Sequence, residues 1–181
     1  MREPVEIAPY APAWPTMFAR LGVSLRAALG DAATRIDHIG STSASGLAAK
    51  PVIDLQISVA SLEPTDAFLE PLTGMGFVYR ADNPERTKRY FREPPGQSRT
   101  HVHVRQLGSF SEQFSLLFRD YLRHHASAAT EYAAFKRHCA AKFRNDRPGY
   151  VQAKDAFVWD IIRRADAWAQ HTGRLPGPSD A

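Results

Sequence analysis

The chain has 181 residues, of which 44% are hydrophobic and 23% are charged, with a formal net charge of +4. These values match an ordinary globular protein that can bury its own core without disulfides. The only cysteine, Cys139, excludes an internal disulfide, and we expect a reducing cytoplasm. Apolar runs stay well short of the roughly 20 residues that span a bilayer, and the proline-broken N-terminus does not resemble a signal peptide.

Apolar periodicity and turn residues predict a strand-rich part followed by consecutive helices. In chain order, the expected elements are a helix over 13–29, strands over 34–39 and 52–60, a short helix over 65–73, a strand over 77–80, a hairpin-like pair over 89–93 and 101–107, and helices starting after 109, at about 128 and at about 150. This order predicts an α+β fold with a small mixed sheet. We expect one domain over 1–171, sheet-rich to about 108 and helical over 109–171, and a disordered tail over 172–181.

Two of the predicted strands each carry a polar face opposite an apolar one, because side chains alternate along a strand. The polar residues are Asp54, Gln56 and Ser58 on one strand and His101, His103 and Arg105 on the other. If the two faces adjoin in the centre of the sheet, a carboxylate and two imidazoles converge, which is the chemistry of a metal site. The alternative is that both faces are solvated, as in many antiparallel sheets.

A turn rich in glycine and hydroxyl residues precedes the first of these strands. Gly40 is followed by three residues with hydroxyl side chains, Ser41, Thr42 and Ser43, and Asp54 lies fourteen positions after the glycine. Backbone N–H groups in such a turn can bind phosphate oxygens, with the hydroxyls as further donors. This turn alone is a weak indication of a phosphate site, and Asp54 on the following strand strengthens that indication.

The order of these motifs resembles the nucleotidyltransferase superfamily, in which Gly-Ser is followed by acids on a strand. More narrowly, EIAPYAPAWP, RIDHIGSTSASGLAAKPVIDLQI, HVHV, LLFRDYLRHH, YAAFKRHCAAKF and YVQAKDAFV resemble the GrpB-like family over most of the chain. That resemblance implies a nucleotidyltransferase-like fold, and some members are fused to dephospho-CoA kinase. It also implies carboxylates that hold Mg²⁺ or Mn²⁺ against a nucleoside triphosphate.

This sequence departs from the resemblance at two positions. Gln56 stands where the superfamily pattern has its second acid, and a neutral amide weakens charge neutralisation at a two-metal site. Ser45 stands where the family loop usually has proline, which predicts a more mobile loop.

Four basic residues are further candidates for binding phosphate. Lys50 follows the glycine loop, Arg89 lies on the predicted hairpin, and Lys136 and Lys154 lie on the last two helices. We expect the three C-terminal helices to pack together and close one side of the cleft. Each has a structural alternative: Lys50 as a surface residue, Arg89 in an ion pair, and the helical lysines extending over aromatic rings.

Three functions are compatible with these residues. The first is metal-dependent nucleotidyl transfer to an unknown acceptor, with Asp54, Gln56 and His103 catalytic and His101 as a further metal ligand. The second is a module that binds a nucleotide or another phosphate ester without turnover, nucleic acid being a possible partner. The third is a hydrolase with a metal held by Asp54, His101 and His103.

Overall fold

A computed structural model describes residues 4–181, so the first three residues of the predicted domain lie outside the described part. Five α-helices and five strands are present in this range. The helices are α1 Ala13–Leu29, α2 Asp66–Gly74, α3 Phe110–His124, α4 Ala126–Lys142 and α5 Arg147–Thr172; the strands are β1 Arg35–Ile39, β2 Ile53–Val59, β3 Val78–Tyr79, β4 Lys88–Arg92 and β5 Thr100–Gln106. The predicted α+β class is confirmed. None of these helices is long and apolar enough to cross a membrane.

The strands form one mixed sheet in the order β1-β2-β5-β4-β3. Only β2 and β5, which lie next to each other in the middle of the sheet, pair in parallel. The other three pairs are antiparallel. In the central register Asp54 lies opposite His101, and Gln56 lies opposite His103. The prediction that the two polar strands are neighbours is therefore confirmed.

Each face of the sheet has a different partner. The apolar face of β2 and β5, which carries Leu55, Ile57, Val102 and Val104, joins α1 and α2 in one buried cluster. Alternation therefore directs the polar residues of these strands to the opposite face, where α3, α4 and α5 lie. The predicted three-helix segment is confirmed, and a second buried cluster connects its helices.

A polar layer lies between the sheet and α3. The guanidinium of Arg105 donates to the Gln56 amide oxygen at 2.7 Å, and the Ser58 hydroxyl donates to Glu112 at 2.6 Å. Glu112 also accepts from the backbone N–H of Gly108 at 2.8 Å. Buried polar groups stabilise a fold only when they are paired in this way, so this layer fixes α3 on the sheet.

The sequence predicts a disordered tail over 172–181; in the structure α5 extends to Thr172, and the residues after it make hydrogen bonds to β1 and α3. α5 ends at Gly173 in the left-handed conformation, and the chain then runs along the outer edge of β1. The Ser179 hydroxyl accepts from the N–H of Ile36 at 2.8 Å, and the Asp180 carboxylate accepts from the N–H of His38 at 3.0 Å. An edge strand exposes N–H groups that need acceptors, and this polar segment supplies them.

Asp180 also ties the segment to α3. Its carboxylate lies 3.0 Å from Arg119 and 3.1 Å from Arg123. Arg119 is buried and pairs in addition with Asp37 and Asp120. These partners are distant in the sequence, which is why composition alone predicted disorder.

Replacing Asp180 by alanine is expected to lower the free energy of unfolding by about 1.5–3 kcal/mol, the range for hydrogen bonds to charged groups. The change removes acceptors from a buried guanidinium and from an edge N–H. Urea denaturation measures it. Asp166→Ala is the control, since that carboxylate accepts from Gln170 on an exposed surface and its loss should cost less than about 0.5 kcal/mol. Equal losses in the two variants would contradict the tail assignment.

Candidate functional site

Asp54 and two histidines form a cluster on the polar face of the central strands. Oδ1 of Asp54 lies 3.0 Å from Nδ1 of His101 and 3.8 Å from Nε2 of His103. One potential ligand atom from each residue lies within 4.8 Å of the others. The parallel pairing of β2 and β5 produces this arrangement, because it sets Asp54 beside His101 and one pleat away from His103.

The glycine loop lies directly against this cluster. Gly40 has φ 69° and ψ −168°, a conformation almost restricted to glycine. A β-carbon added there would lie 2.7 Å from Oδ2 of Asp54. The loop needs glycine both for its backbone and for the close approach of the carboxylate.

The three hydroxyl residues of the loop have different roles. The Thr42 hydroxyl donates to the Val52 carbonyl and therefore accepts from Nε2 of His38. The Ser43 hydroxyl donates to the Gly40 carbonyl at 2.6 Å. These three bonds hold the turn, whereas Ser41 lines the cavity. Ser41 and Thr42 are the hydroxyl residues of this loop that line the cavity, and the Thr42 hydroxyl already donates to the Val52 carbonyl.

A cavity of about 360 Å³ separates this cluster from the last two helices. Lys50, Lys136 and Lys154 line it, together with Tyr150. They come from the segment before β2, from α4 and from α5. Of the three C-terminal helices expected to close the cleft, α4 and α5 therefore line this cavity, whereas its lining includes no residue of α3.

Each lysine lies over an aromatic ring as well as lining the cavity. The Nζ atoms of Lys50 and Lys154 lie 5.2 and 4.7 Å from the centre of the Tyr150 ring. Nζ of Lys136 lies 4.5 Å from the Tyr132 ring and donates to the Ala48 carbonyl at 2.6 Å. The alternative of lysines extending over aromatic rings therefore also holds, and the rings position the ammonium groups.

The cavity carries an excess of positive charge. Burial, followed by the charge of Lys154, lowers the pKa of Lys136 to about 7. Burial, followed by the charges of Arg147 and Lys154, lowers the pKa of Lys50 to about 8. Burial is also the main cause of the lowered pKa of Lys154. Three amines share the nearby carboxylate of Asp54, so an anion bound among them would relieve their repulsion.

Asp54 is ionised and His103 is neutral in this environment. Burial alone would raise the pKa of Asp54, but hydrogen bonds with His101 and His103 outweigh it and the net pKa is lowered. Burial lowers the pKa of His103 to about 4 despite its hydrogen bond to Asp54. A carboxylate beside a neutral imidazole is the protonation state that binds metal ions.

Two predicted ligands have other partners. Gln56 is fully buried, its amide oxygen accepts from Arg105, and its amide nitrogen donates to the Glu112 carbonyl at 3.4 Å. It shares a face with Asp54 as predicted, but α3 covers that part of the strand. Arg89 lies opposite Val104, on the apolar side of the sheet, and pairs with Glu63 at 2.5 Å. Neither is placed to bind a ligand in the cavity.

Tyr90 is a neighbour of the cluster that the sequence did not single out. It lies opposite His103 on β4, and its ring centre is 5.2 Å from that of His103 and 5.6 Å from that of His101. The alternation of side chains along the KRYFR strand predicts which face of the sheet Tyr90 lies on. Only the pairing of β4 with β5 shows that Tyr90 adjoins the histidines.

Replacing Gly40 by alanine should destabilise the protein by about 1–3 kcal/mol, because the new methyl group displaces the Asp54 carboxylate. If the cluster holds Mn²⁺, the same displacement should weaken its binding at least tenfold. Gly46→Ala is the control: Gly46 also has positive φ, at +77°, but open space lies around its missing side chain. Thermal unfolding and Mn²⁺ titration of both variants test this. Equal Mn²⁺ affinities would show that the close approach of Gly40 has no role in the cluster.

Comparison with known proteins identifies the family of this chain. The family model described as GrpB protein matches residues 4–164. The UPF0157 protein of Pseudomonas aeruginosa is 37% identical over 171 residues, covering 92% of this chain and 70% of that protein. A dephospho-CoA kinase of Mycolicibacterium paratuberculosis is 36% identical over 201 residues, covering 97% of this chain but 49% of the kinase. The chain therefore spans about half the length of the kinase.

Solved structures show the same family and a wider fold. The crystal structure of the conserved protein GrpB from Enterococcus faecalis aligns with a TM-score of 0.81 and 32% identity, covering 90% of this chain and 99% of that one. Cid1 in complex with its short product ApU aligns with a TM-score of 0.51 and 17% identity, covering 75% of this chain and 43% of Cid1. The second likeness establishes a nucleotidyltransferase-like fold, and the family match establishes that the chain belongs to the GrpB family.

Proposed function

We propose that the cavity binds the phosphate groups of a nucleoside triphosphate together with one divalent metal ion. The observation that carries this proposal is the convergence of Lys50, Lys136 and Lys154 on the cluster of Asp54, His101 and His103. Ammonium groups supply the charge that phosphates need, and the cluster supplies a place for the cation that accompanies a triphosphate.

The donors in this cluster suit Mn²⁺ better than Mg²⁺. Asp54 offers carboxylate oxygen and the two histidines offer imidazole nitrogen, whereas Mg²⁺ is bound mainly by oxygen. Each ring has one nitrogen near Asp54, and its second nitrogen is buried and has no protein partner in residues 4–181. An ion shared with the Asp54 carboxylate would therefore be held by the nitrogens that face it, Nδ1 of His101 and Nε2 of His103. When bound, the ion would polarise a phosphate oxygen as a Lewis acid.

This geometry best supports nucleotide binding with a single metal ion. The superfamily resemblance would require a second acid at position 56, but Gln56 is held by Arg105 under α3. A two-metal Mg²⁺ centre therefore does not fit these residues. The Gln56–Arg105 contact favours a nucleotide-binding module over the metal-dependent nucleotidyltransferase.

Nucleotidyl transfer is the second candidate, favoured by the fold. A solved neighbour described as a cytoplasmic RNA terminal U-transferase aligns with a TM-score of 0.53 at 17% identity. By analogy alone, an RNA end is one acceptor to test in this chain. A cytoplasmic location is part of the same proposal, since a chain with one cysteine forms no internal disulfide.

The Asp54→Asn variant should bind ATP in the presence of Mn²⁺ at least tenfold more weakly than the unchanged protein, a difference of about 1.4 kcal/mol. The amide keeps the size of the carboxylate but removes its charge from the cluster. Calorimetric titration with Mn²⁺-ATP and Mg²⁺-ATP measures affinity, and a pyrophosphate-release assay separates transfer from binding. Asp31→Asn, at an exposed position, is the control. Equal affinities in a folded Asp54→Asn variant would overturn the metal role.

Phosphate binding should weaken as pH rises above about 7, because Lys136 and then Lys50 lose their protons. Stability of the ligand-free protein should change in the opposite sense. The folded-state pKa of Lys136 lies below its ordinary value of 10.5, so between these two values the unfolded chain holds more protons and the free energy of unfolding rises with pH.

Lys136→Met should flatten both dependences, as measured by phosphate titration and urea denaturation from about pH 6 to about pH 9. Lys142→Met, at an exposed position of the same helix, is the control and should leave both curves unchanged. An unaltered pH dependence of phosphate binding in Lys136→Met would exclude Lys136 from the site.

A further inference from the structure

Three aromatic rings lie together on the outer surface where α3 meets α5, and we call them the aromatic patch. Phe110 is 71% exposed, Trp159 is 47% exposed, and Phe114 is half-buried beside them. The ring centres of Phe110 and Trp159 are 6.5 Å apart, and the centre of Phe114 lies 5.9 and 5.2 Å from them. Exposed clusters of large apolar side chains are typical of surfaces that bind another polypeptide.

The aromatic patch borders an apolar hollow of about 320 Å³. The three rings line it together with Leu117 and Ile162, which extend from the core between the helices. A protruding ring beside such a hollow is complementary to a second copy of itself. In a pair of copies related by a two-fold axis, Phe110 of each copy can enter the hollow of the other.

Charged residues flank Trp159 symmetrically and with opposite sign. Asp155 lies four positions before Trp159 and Arg163 lies four positions after it, and all three are exposed. Residues four apart share one side of an α-helix, so acid, aromatic ring and base follow one another along α5. When two such helices meet antiparallel with Trp159 at the two-fold axis, each Arg163 lies opposite the partner's Asp155. A parallel pair would set like charges opposite each other, so the pattern favours the antiparallel arrangement.

The contact that Arg163 makes within its own chain does not prevent this pairing. Arg163 lies 3.3 Å from Asp160, but both side chains are largely exposed, and ion pairs in water contribute little to stability. An interface that excludes water would strengthen an ion pair across the axis, because the attraction grows as the local dielectric constant falls.

We propose that the aromatic patch is the interface of a homodimer in which α5 of one copy packs antiparallel against α5 of the other. The rings supply the apolar centre of the interface, and the Asp155–Arg163 pairs fix the direction of the helices. A second copy is the partner that fits, because both the shape and the charges of this surface are self-complementary. The proposal does not depend on the nucleotide cavity, since none of these residues lines it.

Sedimentation equilibrium over about a hundredfold range of protein concentration tests this proposal. The unchanged protein should show a monomer–dimer equilibrium. Phe110→Ser/Trp159→Ser should raise the dissociation constant of the dimer by about tenfold or more, because it removes the apolar centre of the interface. Val23→Ser is the control and should leave the constant unchanged, since Val23 is 69% exposed on α1, away from the patch.

Reversal of charge tests the antiparallel arrangement. Arg163→Asp sets two acids opposite each other and should raise the dissociation constant by about tenfold or more. Asp155→Arg/Arg163→Asp exchanges the two charges and should restore the constant to within about threefold of the unchanged protein.

Three results would overturn the proposal. The first is a monomer at every concentration, which would leave the patch to a different partner. The second is a dimer whose dissociation constant does not respond to Phe110→Ser/Trp159→Ser, since the copies would then meet elsewhere. The third is a dimer that Arg163→Asp weakens and the charge exchange does not restore. If the serine variant does not fold, the two charge variants decide the question, because both change only exposed positions.

Discussion

The parallel pairing of β2 and β5 is the constraint on which the candidate site depends. It places Asp54 directly beside His101, where the carboxylate and the imidazole are 3.0 Å apart, and brings His103 within 3.8 Å. A shift of one residue in this register would send these side chains to the apolar face, against α1 and α2. The core that holds Leu55, Ile57, Val102 and Val104 therefore also holds the polar cluster in position.

The cavity is lined by three lysines and one aspartate, and this excess of basic side chains is the basis of its proposed function. Lys136 is only 2% exposed, and the contacts of its amine are one hydrogen bond to a backbone carbonyl and one aromatic ring. Burying an ammonium group beside two others costs free energy, which the lowered pKa values of Lys50 and Lys136 express. A bound anion would offset this cost, which is the physical basis of the proposal that the cavity binds phosphate groups.

The layer of Gln56, Ser58, Arg105 and Glu112 is the reason that the proposed function has one metal ion rather than two. These residues face the same way as Asp54, yet they satisfy one another under α3. Position 56 has thus become part of the support for a helix. The site next to it keeps one carboxylate and two imidazoles, a donor set for a single ion.

The amino-acid sequence by itself determined the α+β class, the order of the elements and the polar alternation of β2 and β5, because these depend on local periodicity and turn residues. The motif series also predicted Asp54, His101, His103 and the lysines as one site. Only the tertiary structure decided that Gln56 pairs with Arg105, that Arg89 faces Glu63, and that Tyr90 adjoins the histidines. It also decided that Asp180 reaches Arg119 across 61 positions of the chain. These four facts depend on contacts between distant segments, and a sequence pattern gives the face of a side chain without giving what covers that face.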